Sequence, residues 1–195
     1  MSEMKSAWEK ALEKVEKLGK PTDEELKKFE YIPAGNKLAA EYLSNETYNL
    51  DAELTRYKDS GGRQHVIQGI QEIFLRNITL PRNDHDKKTI SKAMEGIRII
   101  KENKKQLETI YEQINNLLTY YEQALQQTFA QFKQSFEAKI QETSKALQQR
   151  QAAGQSIEVE LQQQFQDEWH RASSQLDIQY EKALNEHKQQ ILQTA

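Results

Sequence analysis

Four histidines are the residues with the most chemistry to offer. They are His65, His85, His170 and His187. His85 stands between Asp84 and Asp86, and two carboxylates beside an imidazole are divalent-metal chemistry. Three adjacent side chains rarely converge on one ion, so Asp84–His85–Asp86 reads as a solvated loop and helix cap. Asp167 and His170 are three residues apart, the spacing of one half of a di-iron bundle site. Such a site needs a second carboxylate-x-x-His pair and two further carboxylates, all pointing inward. The sequence supplies one pair, and Trp169 rather than His170 occupies the apolar stripe. His187 falls on a stripe position itself, which suits a hydrogen-bonded seam histidine that could respond to pH.

There is no cysteine, and therefore no disulfide, thiolate metal site or cysteine nucleophile. No phosphate-binding glycine loop, nucleophile elbow or zinc motif appears. Glutamate and lysine at helical spacing, as in Glu13 with Lys17 and Glu24 with Lys28, read as surface pairs. The expectation is a protein that is not an enzyme, with no catalytic, cofactor or metal residues.

The remaining candidate is a run of cations. Arg82, Lys87, Lys88, Lys92, Arg98, Lys101, Lys104 and Lys105 enrich one region in positive charge, and on a continuous helix Arg98, Lys101 and Lys105 share a face. Such a face can meet nucleic acid or an acidic partner. Asp84, Asp86, Glu95 and Glu102 interrupt it, and no aromatics interleave for base stacking. The formal net charge of −3 adds no general attraction to nucleic acid or anionic lipid.

The elements that would position these residues emerge from periodicity. From residue 87 to residue 195 there is no proline, and the glycines are Gly96 and Gly154. The apolar positions Leu107, Tyr111, Ile114, Leu118, Tyr121, Leu125, Phe129, Phe132, Phe136 and Ile140 climb by three and four, and Leu147 follows seven residues on. After Ile157 a second stripe runs through Leu161, Phe165, Trp169, Ala172, Leu176, Tyr180, Ala183, His187 and Ile191. Leu161, Ala172 and Ala183 are eleven apart, a repeat that keeps helices nearly straight. Glutamine fills the outward positions and favours helix without adding charge.

Gly154, with Ser156 placed to cap the second of these helices, predicts a turn near 151–156 and an antiparallel hairpin. Folding about Gly154 sets Phe165 near Ile140, Leu176 near Phe132 and Ile191 near Leu117. Residues 87–150 as one helix would be about 96 Å long, and the return over 157–193 about 55 Å. The return then ends near Leu117. Ile90, Met94, Ile97, Ile100, Leu107, Ile110 and Ile114 need another cover, either the N-terminal helices or a second subunit.

The first 81 residues have a different texture. They hold all three prolines and five of the seven glycines. Met4, Ala7, Trp8, Ala11, Leu12, Val15 and Leu18 mark a short amphipathic helix, closed by Gly19 and Pro21. Thr22-Asp23-Glu24-Glu25 is a capping box that opens a helix carrying Leu26 and Phe29. Pro33 and Gly35 predict a break before a third helix with Leu38, Tyr42 and Leu43, ending near Asn45. Leu50, Leu54 and Tyr57 suggest a fourth, stopped by Gly61-Gly62. Val66, Ile67, Ile70, Ile73, Phe74 and Ile78 mark a fifth, ended by Leu80-Pro81.

Lys5-Ser6-Ala7-Trp8-Glu9, Glu16-Lys17-Leu18-Gly19, Lys37-Leu38-Ala39-Ala40, Leu75-Arg76-Asn77-Ile78-Thr79-Leu80-Pro81 and Met94-Glu95-Gly96 carry a resemblance. Over roughly its first hundred residues the chain resembles a family of small uncharacterised bacterial proteins. The glutamine-rich half resembles helical coiled-coil hairpins in general. The resemblance implies a bacterial source and supplies no site residues.

The chain is therefore expected to be all-α, with N-terminal helices over 1–81 packed on a long antiparallel hairpin over 87–195. No apolar run approaches a membrane span, and no secretory signal is visible, which makes the cytoplasm the expected location. The expected role is a helical scaffold or adaptor that binds a protein partner, a second copy of itself included. The alternative is a nucleic-acid- or ribosome-associated factor using Arg98, Lys101 and Lys105.

Overall fold

A computed structural model describes residues 21–58, 61–147 and 157–194, and these residues form helices and turns with no strand among them. The protein is all-α. In chain order the helices are α1 (Asp23–Ser44), α2 (Leu50–Thr55), α3 (Arg63–Asn77), α4 (Asp84–Ile100), α5 (Lys104–Leu147) and α6 (Ile157–Gln193). The expected helix over Met4 to Leu18 and the expected turn at Gly154 lie outside the described residues. The chain divides into two compact units, residues 1–76 with 95–100 and residues 77–94 with 101–195. The α4 helix contributes its last turns to the first unit and the rest to the second.

In the first unit, α1 opens on the capping box. The Glu25 amide donates to Thr22 Oγ1 at 3.2 Å, and the Thr22 amide donates back to Glu25 Oε2 at 2.7 Å. The helix then runs through Pro33 and Gly35 without a break, where the sequence predicts two helices. Proline inside a helix removes the hydrogen bond to the carbonyl four residues earlier. Here that carbonyl belongs to Phe29, on an exposed stretch where water can take the place of the lost donor.

Gly35 has a different purpose. A Cβ there would lie 2.1 Å from the Val66 carbonyl oxygen, and one at Gly69 would lie 2.3 Å from the Ile32 carbonyl oxygen. The α1 and α3 backbones therefore touch through reciprocal glycines. Leu38, Ala39, Val66, Ile70 and Phe74 are buried along with this crossing. Asn49 caps α2 by accepting from the Ala52 amide at 3.0 Å, and Leu50 and Leu54 carry its buried side. The ring of Tyr42 meets Phe74 edge-on at 5.5 Å. Gly96, on the last turns of α4, is where a Cβ would fall 2.4 Å from the Phe74 ring.

In the second unit the expected helix from Lys87 to Arg150 does not exist as one piece. It breaks at residues 101–103, between α4 and α5. Asn103 restarts the chain: its Oδ1 accepts from the Gln106 amide at 3.2 Å, and its side-chain amide donates to Gln106 Oε1 at 3.1 Å. The break is a reversal. Tyr111 donates its hydroxyl to the Met94 carbonyl at 2.5 Å, and Lys87 reaches Glu122 at 2.6 Å. Partners rise along α5 as they fall along α4, so the two helices are antiparallel. Ile90, Met94, Leu107, Ile110 and Ile114 are all buried. Periodicity alone leaves them without a partner because it makes α4 an extension of α5.

The α6 helix runs antiparallel to α5 as well. Tyr121 meets Tyr180 at 5.3 Å, Phe132 meets Trp169 at 5.6 Å, and Phe136 meets Phe165 at 5.0 Å. Folding about Gly154 would have set Tyr180 about seven residues further along α5. The pairing is thus displaced by about two turns, and α6 reaches the start of α5 instead of ending near Leu117. Its C-terminal end meets Lys101, whose amine donates to the Thr194 carbonyl at 2.5 Å.

Burial tracks helix number. Where α4, α5 and α6 run together, Leu107, Ile114, Tyr121, Leu184 and Ile191 are almost completely buried. Leu184 lies off the eleven-residue stripe. A third helix widens the arc that each helix buries, and brings such a position inside. Among the described residues of the second unit, α5 and α6 alone continue beyond Glu122, and Phe132, Phe165 and Trp169 are half-buried while Phe129 is 41% exposed.

Candidate functional site

Where the three-helix part of the second unit gives way to the two-helix part, three polar side chains meet. Arg82 lies just before α4, Tyr121 is on α5 and Asp177 is on α6. Tyr121 is fully buried and donates its hydroxyl to Asp177 Oδ1 at 2.8 Å. Arg82 forms an ion pair with Asp177 Oδ2, and its guanidinium lies 5.9 Å from the Tyr121 ring centre. One carboxylate is thus shared between a hydroxyl and a guanidinium from two other elements. Asn83 and Asp86 hold Arg82 in place: the Asp86 amide donates to Asn83 Oδ1 at 2.9 Å, and the Arg82 amide donates to Asp86 Oδ2 at 2.8 Å. One turn along, Lys87 pairs with Glu122, and that hydrogen bond is the main cause holding the Lys87 ammonium above its ordinary pKa.

Burial, reinforced by the hydrogen bond to Asp177, pushes the Tyr121 phenol far above its usual range. A phenol so held keeps its proton. It suits a lock between helices and cannot act as a base or nucleophile near neutral pH. Sequence reasoning does not single out this trio. The signals are faint: a tyrosine on the apolar stripe, and an aspartate one position after Leu176.

The basic trio does not share one helix. Arg98 is exposed on α4, Lys105 is exposed on α5, and Lys101 sits in the reversal between them. The shared face assumed a helix that runs on through residues 101–103. The Lys101 ammonium caps the C-terminal end of α6, where carbonyls and the helix dipole favour a cation. Burial lowers its pKa.

The histidines have separate surroundings, His65 in the first unit and the other three in the second. His65 is buried with Nε2 at 3.0 Å from Glu24 Oε1, and His187 Nδ1 lies 3.2 Å from Gln190 Oε1. His85 is exposed on the first turn of α4 and His170 is exposed on α6. Asp167 Oδ1 accepts from Gln163. Among the described residues, no three carboxylate or imidazole groups come together in a way that would hold a metal ion.

Apolar surface is exposed at several places among the described residues, Ile178 on α6 included. One is the two-helix part of α5 and α6, where Phe129 meets Phe165 and Trp169 edge-on, Phe132 meets the same two rings at a tilt, and the ring centres lie 4.9 to 6.2 Å apart. Lys139 and Glu168 join the two helices beside it at 2.9 Å. Another is on α1, where Leu26 is 50% and Phe29 77% exposed beside an open cleft of about 430 Å³ lined by Glu25, Lys28, Phe29, Ile32 and Pro33. No described helix is long and apolar enough to cross a membrane.

No curated protein and no solved structure matches the chain. A family model does, over residues 51–193. The match takes in α2 to α6, the Leu75 to Pro81 segment and the reversal at residues 101–103. It also covers the glutamine-rich helices, for which the sequence offered only a general coiled-coil likeness. A model that spans most of the chain, from α2 to the end of α6, places the protein in the family described as "Family of unknown function (DUF6657)".

Proposed function

We propose that the protein is a non-enzymatic helical scaffold or adaptor of the bacterial cytoplasm. Its helices α1 to α3 serve as a docking module, and the two-helix part of α5 and α6 serves as an association element. The supporting observation is the aromatic cluster beyond Glu122. Two helices alone cannot enclose Phe129, Phe132, Phe165 and Trp169, and exposed aromatic groups of this kind mark interfaces.

The surroundings suit a helical partner, with a second copy the simplest. Gln123 to Phe132 on α5 carries no charged residue, and on α6 Glu168 is paired with Lys139 and Asp177 with Arg82. Another helix pair could therefore approach over the α5 side without burying charge. Light scattering over a concentration series tests this reading. The full chain is expected to self-associate. Changing Phe129 and Trp169 together to aspartate should weaken that association by at least ~10-fold, about 1.4 kcal/mol, with helicity retained. A wild-type chain that stays monomeric at every concentration, with the double variant indistinguishable from it, would remove the association element from the proposal.

A further inference from the structure

The outward face of α5 beyond Glu122 has heptad spacing. Gln126, Ala130, Lys133, Glu137 and Ile140 climb by four, three, four and three. The first four are exposed and Ile140 is half-buried. Phe129, 41% exposed, stands beside Ala130 on the edge nearer α6, where it meets Phe165 and Trp169. We propose that two copies of the chain pair antiparallel along this face, about a two-fold axis at Ser135. The inference rests on the association element proposed above and adds its partner and its register.

Charge sets the direction. Among the described side chains of α5 beyond Glu122, the charged groups are Lys133, Glu137 and Lys139. Lys139 is taken up by Glu168 on α6 at 2.9 Å. Lys133 and Glu137 lie one turn apart at 3.9 Å, each 60% exposed. A parallel two-fold pairing sets lysine against lysine and glutamate against glutamate. An antiparallel pairing about Ser135 sets Lys133 against the second copy's Glu137, and symmetry repeats the match. These ion pairs stay at the wet outer edge of the seam, so they choose its orientation more than they add affinity.

The same axis places the apolar groups. Ala130 falls opposite the second copy's Ile140, small against large, and Phe129 lies against that same Ile140 from the next position. The ring that α6 leaves partly open is thereby covered. Ser135 is also the midpoint of residues 123–147, so α5 of the second copy covers the stretch that α4 leaves open.

Charge reversal tests the direction in the full chain, read by light scattering with circular dichroism as the check on helicity. Lys133→Glu alone and Glu137→Lys alone should each weaken self-association by about 10-fold, because each sets like charges together twice. Mixing the two variants in equal amounts should restore wild-type association, since every facing pair is then opposite in sign. Lys133→Glu with Glu137→Lys in one chain should associate as the wild type does. A wild type that associates but ignores both reversals, or variants that the mixture does not restore, would overturn the antiparallel seam and leave the association element standing. A wild type that is monomeric at every concentration would overturn both.

Cysteine exchange gives a second arm in a chain with no native cysteine. Under mild oxidation, Lys133→Cys chains mixed with Glu137→Cys chains should form disulfides between unlike chains. Lys133→Cys chains alone should form few. Disulfides that join like Lys133→Cys chains as readily would mean a parallel seam and would overturn the proposal.

Discussion

Gly35→Ala should destabilise the protein by about 3 kcal/mol, at the upper end of what overpacking costs. In an open helix the same change stabilises by about 0.5–1 kcal/mol, because alanine loses less backbone entropy than glycine. The sign reverses here because the new methyl would sit 2.1 Å from a backbone oxygen of α3, and backbone cannot rotate out of the way. Gly61→Ala is the control. Its Cβ would meet only the flexible end of Lys27 at 3.3 Å, and it should change stability by less than about 0.5 kcal/mol. Urea unfolding of the two variants decides the matter. A stabilising Gly35→Ala would mean that α1 and α3 do not cross in contact.

Tyr121→Ala should cost about 4 kcal/mol, the loss of a fully buried aromatic ring together with the donor to Asp177. The phenol also gives stability a dependence on pH. Its pKa is raised in the folded chain, first by burial and then by the hydrogen bond to Asp177. In the unfolded chain it ionises at about pH 10, as an ordinary tyrosine does. Above that pH the unfolded state has lost a proton that the folded state keeps, so stability falls as pH rises. The contribution is complete below about pH 10. Thermal unfolding of wild type and Tyr121→Phe at rising pH isolates it. The wild type should lose stability faster than the variant above pH ~10, and parallel curves would show that the phenol is not held protonated by the fold.

Period and punctuation made the helical class legible, and they located several helix ends. Thr22 and Glu25 announced a capping box that forms, and Asn45 marked the end of α1. Pro33 misled because a proline costs a helix little where the carbonyl it orphans faces water. Gly35 misled for a tertiary reason: it is needed by Val66, thirty-one residues away, and no local rule reports that.

The reversal at residues 101–103 does leave a signal in the sequence. Asn103 with Gln106 is a capping pair of the same form as Thr22 with Glu25, set inside what reads as continuous periodicity. Ile97, Ile100, Leu107 and Ile110 keep nearly the helical rhythm across the break, so the apolar pattern hides it. Missing that turn has two consequences. It places Arg98, Lys101 and Lys105 on one face, and it leaves an apolar stripe without a partner.

The register of α5 against α6 is out of reach for another reason. Apolar positions on both helices recur every three or four residues, so slipping by seven, about two turns, still matches apolar with apolar. Aromatic packing and the Tyr121–Asp177–Arg82 lock select one register among these. That trio draws on three elements brought together only after the chain has turned back twice, and no pattern within one helix contains it.

The proposed association element depends on α4 turning back along α5, because only then does the third helix stop near Glu122 and leave the aromatic part of α5 and α6 to two helices. Nitroxide labels at Lys88 and Gln123, introduced as the only cysteines in the full chain, measure this directly by pulsed dipolar spectroscopy. Both positions are exposed, and both lie beside the Lys87–Glu122 ion pair. The fold-back predicts a single distance distribution centred below about 25 Å. A helix continuing through residues 101–103 would separate them by about 50 Å at 1.5 Å per residue, and a distribution centred there would contradict the account.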